Sequence, residues 1–158
     1  MMIKFEKMSE SAYDAYLPEA INEYAAEKVK AGTWAEVEAV DRSTADYAEL
    51  LPDGIQTKQH YLFSIIDETE QTPVGMIWFQ VSEEIQGRTA FIFDFKIEDA
   101  HQGKGYGRQA IQMLEQVARR MNIKKIKLHV FAHNTRAIHL YETTGFVTTD
   151  LHMEMTVN

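Results

Sequence analysis

The chain has 158 residues, 45% of them hydrophobic and 11% aromatic, and 24 acidic against 16 basic residues give it a net charge of −8. This composition predicts one globular domain, residues 1–158, and the negative charge argues against nucleic acid or an anionic membrane as a partner. The absence of cysteine excludes disulfides, cysteine metal ligands and a cysteine acyl-enzyme. The first residues have no apolar signal-peptide core, so we expect a cytoplasmic protein.

The N-terminal half predicts a strand, two helices and a hairpin. Residues 2–7 alternate as a strand does, and Ser9 is expected to cap a helix that runs to about Ala31, with a kink or a new start at Pro18. Thr33 is expected to cap a second helix that ends near Leu51. The candidate inward residues of this second helix are Trp34, Val37, Val40, Tyr47 and Leu50. Strands are expected at about 60–66 and 74–81, paired antiparallel.

The stretch from Phe91 to Ala110 joins a strand, a glycine-rich turn and a helix. Aromatic and apolar residues at 91, 93, 95 and 97 alternate with Ile92, Asp94, Lys96 and Glu98, which predicts a strand with Asp94 facing away from the phenylalanines. From Tyr106 onward the apolar spacing changes to that of an amphipathic helix. The three glycines between 102 and 107 let backbone N–H groups approach a ligand at a helix N-terminus, which favours a phosphate or pyrophosphate.

Two other phosphate-binding patterns fit this turn less well. The Walker A pattern is absent. Residues 105–110 do fit the G-x-G-x-x-A pattern of dinucleotide-binding folds, but residues 98–104 separate the glycines from the strand, and the expected acidic residue after the next strand is missing. A dinucleotide-binding oxidoreductase therefore stays a weaker alternative.

The last third predicts a strand at about 126–130, a short helix and one or two final strands. Asn134 is expected to cap the short helix, and Gly145 to follow its C-terminus. Met153, Met155 and Val157 alternate in the final segment, 146–157. These late strands offer a surface for pairing between the subunits of a homodimer.

The pattern Gln102-x-x-Gly105-x-Gly107, followed by Asn134-x-x-Ala137-x-x-x-Tyr141-x-x-x-Gly145-Phe146, resembles the GNAT-type N-acetyltransferase superfamily. The resemblance covers residues 91–147. It implies an α/β (α+β) fold with a mixed, mostly antiparallel central sheet of 6–7 strands and about four flanking helices. A V-shaped splay is expected between the central strand and the next one.

The same resemblance implies acetyl-CoA as co-substrate and no metal. The pyrophosphate would be held by the backbone amides of Gly103, Lys104, Gly105, Tyr106 and Gly107. Gln102 would shape the turn, and the backbone of Phe95 and Ile97 would pair with the pantetheine like an added strand. Asn134 would bond the pantetheine arm, and Tyr141 would reach the sulfur.

The resemblance further implies direct acetyl transfer from the thioester to a primary amine of a small molecule or a protein. The alkyl ammonium must first lose a proton, and Asp94, Glu98 and His133 are the candidate bases, with a water chain as another route. Tyr141 is expected to donate a hydrogen bond to the departing thiolate. A catalytically silent acyl-CoA-binding regulatory module is the alternative from another functional class.

Overall fold

The computed structural model describes residues 2–158 as four helices on a five-stranded sheet. The strands are β1 (Ile3–Lys7), β2 (His60–Asp67), β3 (Thr72–Glu84), β4 (Gly87–Ile97) and β5 (Lys125–Leu128). The helices are α1 (Glu10–Lys30), α2 (Glu36–Leu50), α3 (Tyr106–Arg120) and α4 (Thr135–Thr143). None of the helices within residues 2–158 combines the length and the apolar character needed to cross a membrane.

The strands lie in the order β1-β2-β3-β4-β5, with antiparallel pairs throughout except for the parallel pair β4–β5. The expected mixed α/β architecture is confirmed, but the expected 6–7 strands are wrong, because the described residues form five. The difference lies in segment 146–157, which forms no strand. A strand needs a partner for its backbone groups, and within residues 2–158 this segment has none.

Of the two caps expected for the N-terminal helices, Ser9 is confirmed and Thr33 is wrong. The Ala12 N–H donates to Ser9 Oγ at 3.0 Å, and α1 continues through Pro18 as one helix. Thr33 does not cap α2, because that helix begins at Glu36 after Ala35, which makes no side-chain cap bond.

The inward face of α2 also differs from the expected one. Val37 is 93% exposed and Val40 is 50% exposed, whereas Ala39, Ser43 and Tyr47 are buried. Small residues at this face allow α2 to lie close to α1, where Ser43 Oγ donates to the Ile21 carbonyl at 2.8 Å. The expected inward positions are therefore wrong for Val37 and Val40 and confirmed for Tyr47 and Leu50, which pack in the layer beneath α1 and α2.

Apolar layers cover both faces of the sheet. One layer packs beneath α3 and includes Ile77, Phe79, Ile92, Ala110 and Leu114. The other packs beneath α1 and α2 and includes Tyr13, Tyr47, Leu62, Met76 and Trp78. Side chains that leave β4 on the second face therefore meet the two N-terminal helices.

Strand β4 carries a bulge at Phe93. Trp78 pairs with Asp94 and Phe79 pairs with Ile92, so Phe93 is an extra residue opposite β3. Phe93 packs on Trp78 with ring centroids 4.7 Å apart, and Asp94 is bonded to α1, so both point toward the N-terminal helices. Phe95 packs in the layer beneath α3. Asp94 was expected to face away from the phenylalanines. This is wrong for Phe93, which shares a face with Asp94 because the bulge interrupts the alternation of the strand.

The second half of β4 has no neighbour on its β5 side. The parallel register runs from Thr89 opposite Lys125 to Ile92 opposite Leu128, where β5 ends. Residues 93–97 of β4 continue past this point. The opening lies where the sequence analysis expects a splay, and it leaves a row of backbone groups available to a ligand.

Candidate functional site

The glycine-rich turn presents unpaired N–H groups in front of α3. Gly103 and Gly105 have φ of +77° and +87°, a left-handed conformation that glycine adopts without strain. The first bond of the helix runs from the Gln109 N–H to the Gly105 carbonyl. In the part of the chain that the structure describes, residues 2–158, the N–H groups of residues 103–108 have no hydrogen-bond acceptor. Such a cluster at a helix N-terminus suits an anion.

Gln102 fixes this turn to both neighbouring elements. Its Nε2 donates to the Ile97 carbonyl at 3.0 Å and to Asp99 Oδ1 at 3.2 Å, while its Oε1 accepts from Arg136 Nη1 at 2.9 Å. The Arg108 guanidinium also bonds Thr143 at the end of α4. The turn therefore lies beside two arginines, and the exposed Lys104 adds a third positive charge.

The open edge of β4 offers backbone groups next to the turn. Residues of an antiparallel strand alternate in the direction of their N–H and C=O groups. Because the Glu98 N–H bonds the Val74 carbonyl of β3 at 2.8 Å, the backbone groups of Phe95 and Ile97 point the other way, toward the opening. The Ile97 carbonyl already accepts a hydrogen bond from Gln102. The Ile97 N–H and the N–H and C=O groups of Phe95 therefore remain for a ligand.

Helix α4 carries Asn134 at its N-terminus and Tyr141 near its C-terminus. The Asn134 side chain caps α4 by accepting from the Ala137 N–H at 3.3 Å, and Gly145 follows the helix with φ of +113°, as the sequence predicts. The Asn134 amide nitrogen remains available to a ligand. The Tyr141 ring packs edge-on against Phe146, with centroids 5.4 Å apart. Burial, and secondarily the charge of Asp94, raise the pKa of Tyr141 to about 12.

Asp94 is bonded by a tyrosine of α1. The Tyr16 hydroxyl donates to Asp94 Oδ2 at 2.6 Å. Burial raises the pKa of Asp94, the Tyr16 hydrogen bond lowers it in part, and the net shift is upward. The pKa of Tyr47 is also raised, mainly by burial and secondarily by the charge of Asp94. Asp94 therefore lies within electrostatic reach of both Tyr47 and Tyr141.

Tyr16 and Tyr47 are candidate site residues that no sequence pattern singles out. Neither belongs to a motif, and their helices lie far from Asp94 in the sequence. Their only signal is a tyrosine on the inward side of each N-terminal helix, which is equally typical of ordinary core packing.

A row of glutamates on α1 faces the second half of β4. Glu19 and Glu23 bind Lys96 Nζ at 3.0 and 2.7 Å. Burial lowers the pKa of Lys96, but its hydrogen bonds to Glu23 and Glu19 outweigh burial, so its pKa is raised overall. The exposed Glu98 lies in the same groove between α1 and the sheet.

His133 is fixed to the C-terminal part of α1. Its Nε2 lies 2.6 Å from Glu27 Oε2, and its ring stacks on Phe131. His133 therefore lies against the C-terminal part of α1 and takes part in an ion pair or hydrogen bond with Glu27. Within residues 2–158, no group of three or more histidine, aspartate or glutamate side chains is arranged to hold a metal ion.

The chain matches proteins of one family over most of its length. The model of the acetyltransferase (GNAT) family matches residues 17–146. The uncharacterized N-acetyltransferases YycN and YdgE of Bacillus subtilis are 42% and 31% identical to it, each over 97% of both chains. The crystal structure of YycN superposes with a TM-score of 0.94, at 40% identity and 99% coverage of both chains.

A more distant solved structure shares the fold. It is a predicted acetyltransferase of Clostridium acetobutylicum that was solved with acetyl-CoA. It covers 98% of this chain and 96% of its own at 15% identity, with a TM-score of 0.61.

Proposed function

The chain belongs to the GNAT acetyltransferase family, and from this premise we propose that it moves an acetyl group from acetyl-CoA directly to a primary amine while both substrates are bound. One observation carries the proposal: six N–H groups without acceptors, residues 103–108, lie at the N-terminus of α3 beside the unpaired edge of β4. We further propose that residues 1–158 act as a single catalytic domain.

In this proposal the donor lies across the turn and along β4. The amides of Gly103, Lys104, Gly105, Tyr106 and Gly107 bind the pyrophosphate, aided by the positive end of α3. The free backbone groups of Phe95 and the Ile97 N–H pair with the pantetheine amides as an added strand. The Asn134 side-chain NH₂ bonds the pantetheine arm, since the Asn134 oxygen already caps α4.

The acceptor enters from the α1 side and meets Asp94. An alkyl ammonium has a pKa of about 10.4 and must lose a proton before it attacks the thioester. Because burial raises the pKa of Asp94, its carboxylate is a better proton acceptor than a free aspartate. We assign the base to Asp94, acting directly or through one water. Glu98, at the strand end, is exposed and serves as a second candidate.

Tyr141 acts as a hydrogen-bond donor in this mechanism. A thiol has a pKa of about 8.5, so full proton transfer from a tyrosine whose pKa is about 12 is uphill by roughly 5 kcal/mol. Tyr141 therefore stabilises charge on the departing sulfur without giving up its proton. The attacking nitrogen loses its second proton to solvent as the tetrahedral intermediate collapses. Coenzyme A leaves as the thiolate and takes a proton from solvent.

The charges around the groove favour a cationic acceptor. Glu19, Glu23 and Glu98 line it, and the nearby cation Lys96 is already bound by Glu19 and Glu23. Such a surface attracts an ammonium group electrostatically. We propose a small molecule or a protein amino group as the acceptor.

Two observations favour the alternative of a silent acyl-CoA-binding module. Asp94 is already bonded to Tyr16, and a tyrosine whose pKa is about 12 is a weak acid. A panel of primary amines with acetyl-CoA, followed by a thiol reagent, separates the two. We expect free CoA to appear only with a subset of amines. Tight acetyl-CoA binding without CoA release from any amine would favour the binding module, and the lack of binding at millimolar acetyl-CoA would overturn both.

A further inference from the structure

Tyr106, the first residue of α3, is tied by its side chain to the last residue of β2. Its N–H belongs to the cluster of unpaired amides in front of the helix, whereas the residue as a whole is only 6% exposed. The Tyr106 hydroxyl donates to Asp67 Oδ2 at 2.5 Å, across 39 positions of sequence. A single residue therefore joins the glycine-rich turn to the hairpin between β2 and β3.

Asp67 offers Tyr106 a rigid and charged partner. It ends β2 and pairs with β1 on one side and with β3 on the other. Its Oδ1 accepts from the N–H groups of Thr69 and Glu70 at 2.8 and 3.1 Å. The Tyr106 hydrogen bond and the Glu70 N–H lower the pKa of Asp67 by more than burial raises it. The group is therefore a carboxylate at neutral pH, and hydrogen bonds to a carboxylate are strong.

The glycine-rich turn has room to move on the side of this hairpin. An open cavity of about 500 Å³ separates the two. Glu70 and Thr72 line it from the hairpin, and His101, Lys104 and Tyr106 line it from the turn. Because side chains do not fill this space, packing alone holds the turn loosely. The position of the turn therefore depends on the contacts at its two ends.

The two ends of the turn are held in different ways. At the first end, the Gln102 side chain bonds both neighbouring elements. At the second end, α3 packs on the sheet through Ala110 and Leu114, which are fully buried. These two residues lie roughly one and two helical turns beyond Tyr106. The Tyr106–Asp67 bond thus fixes the first turn of the helix itself, next to the N–H cluster.

We propose that Tyr106 and Asp67 are positioning residues for the donor, because their bond holds the N–H groups of residues 103–108 in the geometry that a diphosphate needs. The inference rests on the proposed donor site, and both side chains act there through the backbone of the turn. Several N–H groups bind one diphosphate well when their directions are fixed beforehand, since ordering them on binding costs affinity. Loss of the bond should therefore weaken donor binding while α3 stays docked on the sheet.

Calorimetric binding of acetyl-CoA to the full-length chain tests this. Tyr106→Phe and Asp67→Asn should each raise the Kd about 10-fold, because each breaks a hydrogen bond between the phenol and a charged group. The double variant should also bind about 10-fold more weakly, and not about 100-fold, since both changes break the same bond.

Ser43→Ala is the matched control for the loss of a buried hydrogen bond. Ser43 is fully buried, and its hydroxyl donates to the Ile21 carbonyl at 2.8 Å between α2 and α1. This variant should melt at a lower temperature and bind acetyl-CoA as the unchanged chain does. An equal rise of the Kd in Ser43→Ala and Tyr106→Phe would overturn the inference, because it would reduce the Tyr106 effect to a general loss of stability.

Amide NMR of the free protein gives a readout that does not need the donor. In Tyr106→Phe, the signals of residues 103–107 should shift and broaden as the turn becomes mobile, while those of residues 110–118 stay in place. An unchanged Kd, an additive double variant or unaltered turn signals would each overturn the inference and leave the proposed donor site standing. Failure of the unchanged chain to bind acetyl-CoA would instead overturn the donor site, and the inference with it.

Discussion

The Tyr16 hydroxyl donates a 2.6 Å hydrogen bond to Asp94 across 78 positions of sequence. The bond joins α1, an element of the proposed acceptor side, to β4, an element of the proposed donor side. It lowers the pKa of a carboxyl group that burial otherwise raises. The protonation state of Asp94 is thus set jointly by two elements that the sequence keeps far apart.

Replacing Tyr16→Phe should shift the pH dependence of the reaction. Loss of the hydrogen bond raises the pKa of Asp94 further, and a base works only when deprotonated, so the acidic limb of kcat/KM should move to higher pH. At neutral pH we expect about a 10-fold loss of kcat/KM. Tyr13→Phe, a neighbouring buried tyrosine of α1, should leave the limb in place. An unchanged limb in Tyr16→Phe would remove Asp94 from the role of base.

Replacing Asp94→Asn should lower kcat by about 10²–10⁴-fold, the usual contribution of a general base. Affinity for acetyl-CoA, measured by calorimetry, should stay within about twofold, because Asp94 does not face the donor edge. Glu98→Gln, an exposed carboxylate on the same face of β4, is the comparison and should retain most activity. The opposite order of effects would assign the base to Glu98.

Replacing Tyr141→Phe should lower kcat by about 10–100-fold with an unchanged Kd for acetyl-CoA, since the hydroxyl bonds the sulfur only as charge develops. Because the pKa of Tyr141 is about 12, the unchanged enzyme should show no loss of activity from Tyr141 ionisation below pH 10. Tyr61→Phe on β2 serves as the control for removing a hydroxyl elsewhere. An equal loss in both variants would point to a packing defect instead.

Replacing Gly103→Ala should weaken acetyl-CoA binding by about 10-fold, because a side chain at this position both strains the backbone and covers the N–H cluster. Gly32→Ala is a close control. Both glycines have φ of +77° and no atom within 4 Å of an added Cβ, so both variants should lose about 1 kcal/mol of stability. Only Gly103→Ala should change the Kd. Equal Kd values for both variants would show that the turn does not hold the donor.

Local signals explain the parts of the molecule that the sequence predicted. Asn134 and Gly145 mark the ends of α4 because a side-chain cap and a left-handed residue act over three or four positions. The glycine turn before α3 is similarly encoded within a few residues. Each of these features depends only on neighbours along the chain.

The features that the sequence did not predict depend on tertiary pairing. The bulge at Phe93 exists because of the register with Trp78 and Phe79, and nothing in the local alternation reveals it. Val37 and Val40 lie in solvent because Ala39 and Ser43 allow a closer approach of α2 to α1. The strand expected in 146–157 is wrong, because this segment makes no backbone pairing with the sheet within residues 2–158.

The bulge in β4 also determines how the strand would respond to loss of a codon. Because Phe93 has no counterpart on β3, its deletion would leave Asp94 opposite Trp78 and Ile92 opposite Phe79, at the expense only of the ring packed on Trp78. Deletion of Phe95, two positions away, would place Lys96 in the apolar layer beneath α3. It would also place Ile97 opposite Glu19 and Glu23 of α1. Loss of the Phe93 codon therefore keeps the remaining side chains of β4 on their present faces. Loss of the Phe95 codon would move the side chains that follow it to the opposite face of the sheet.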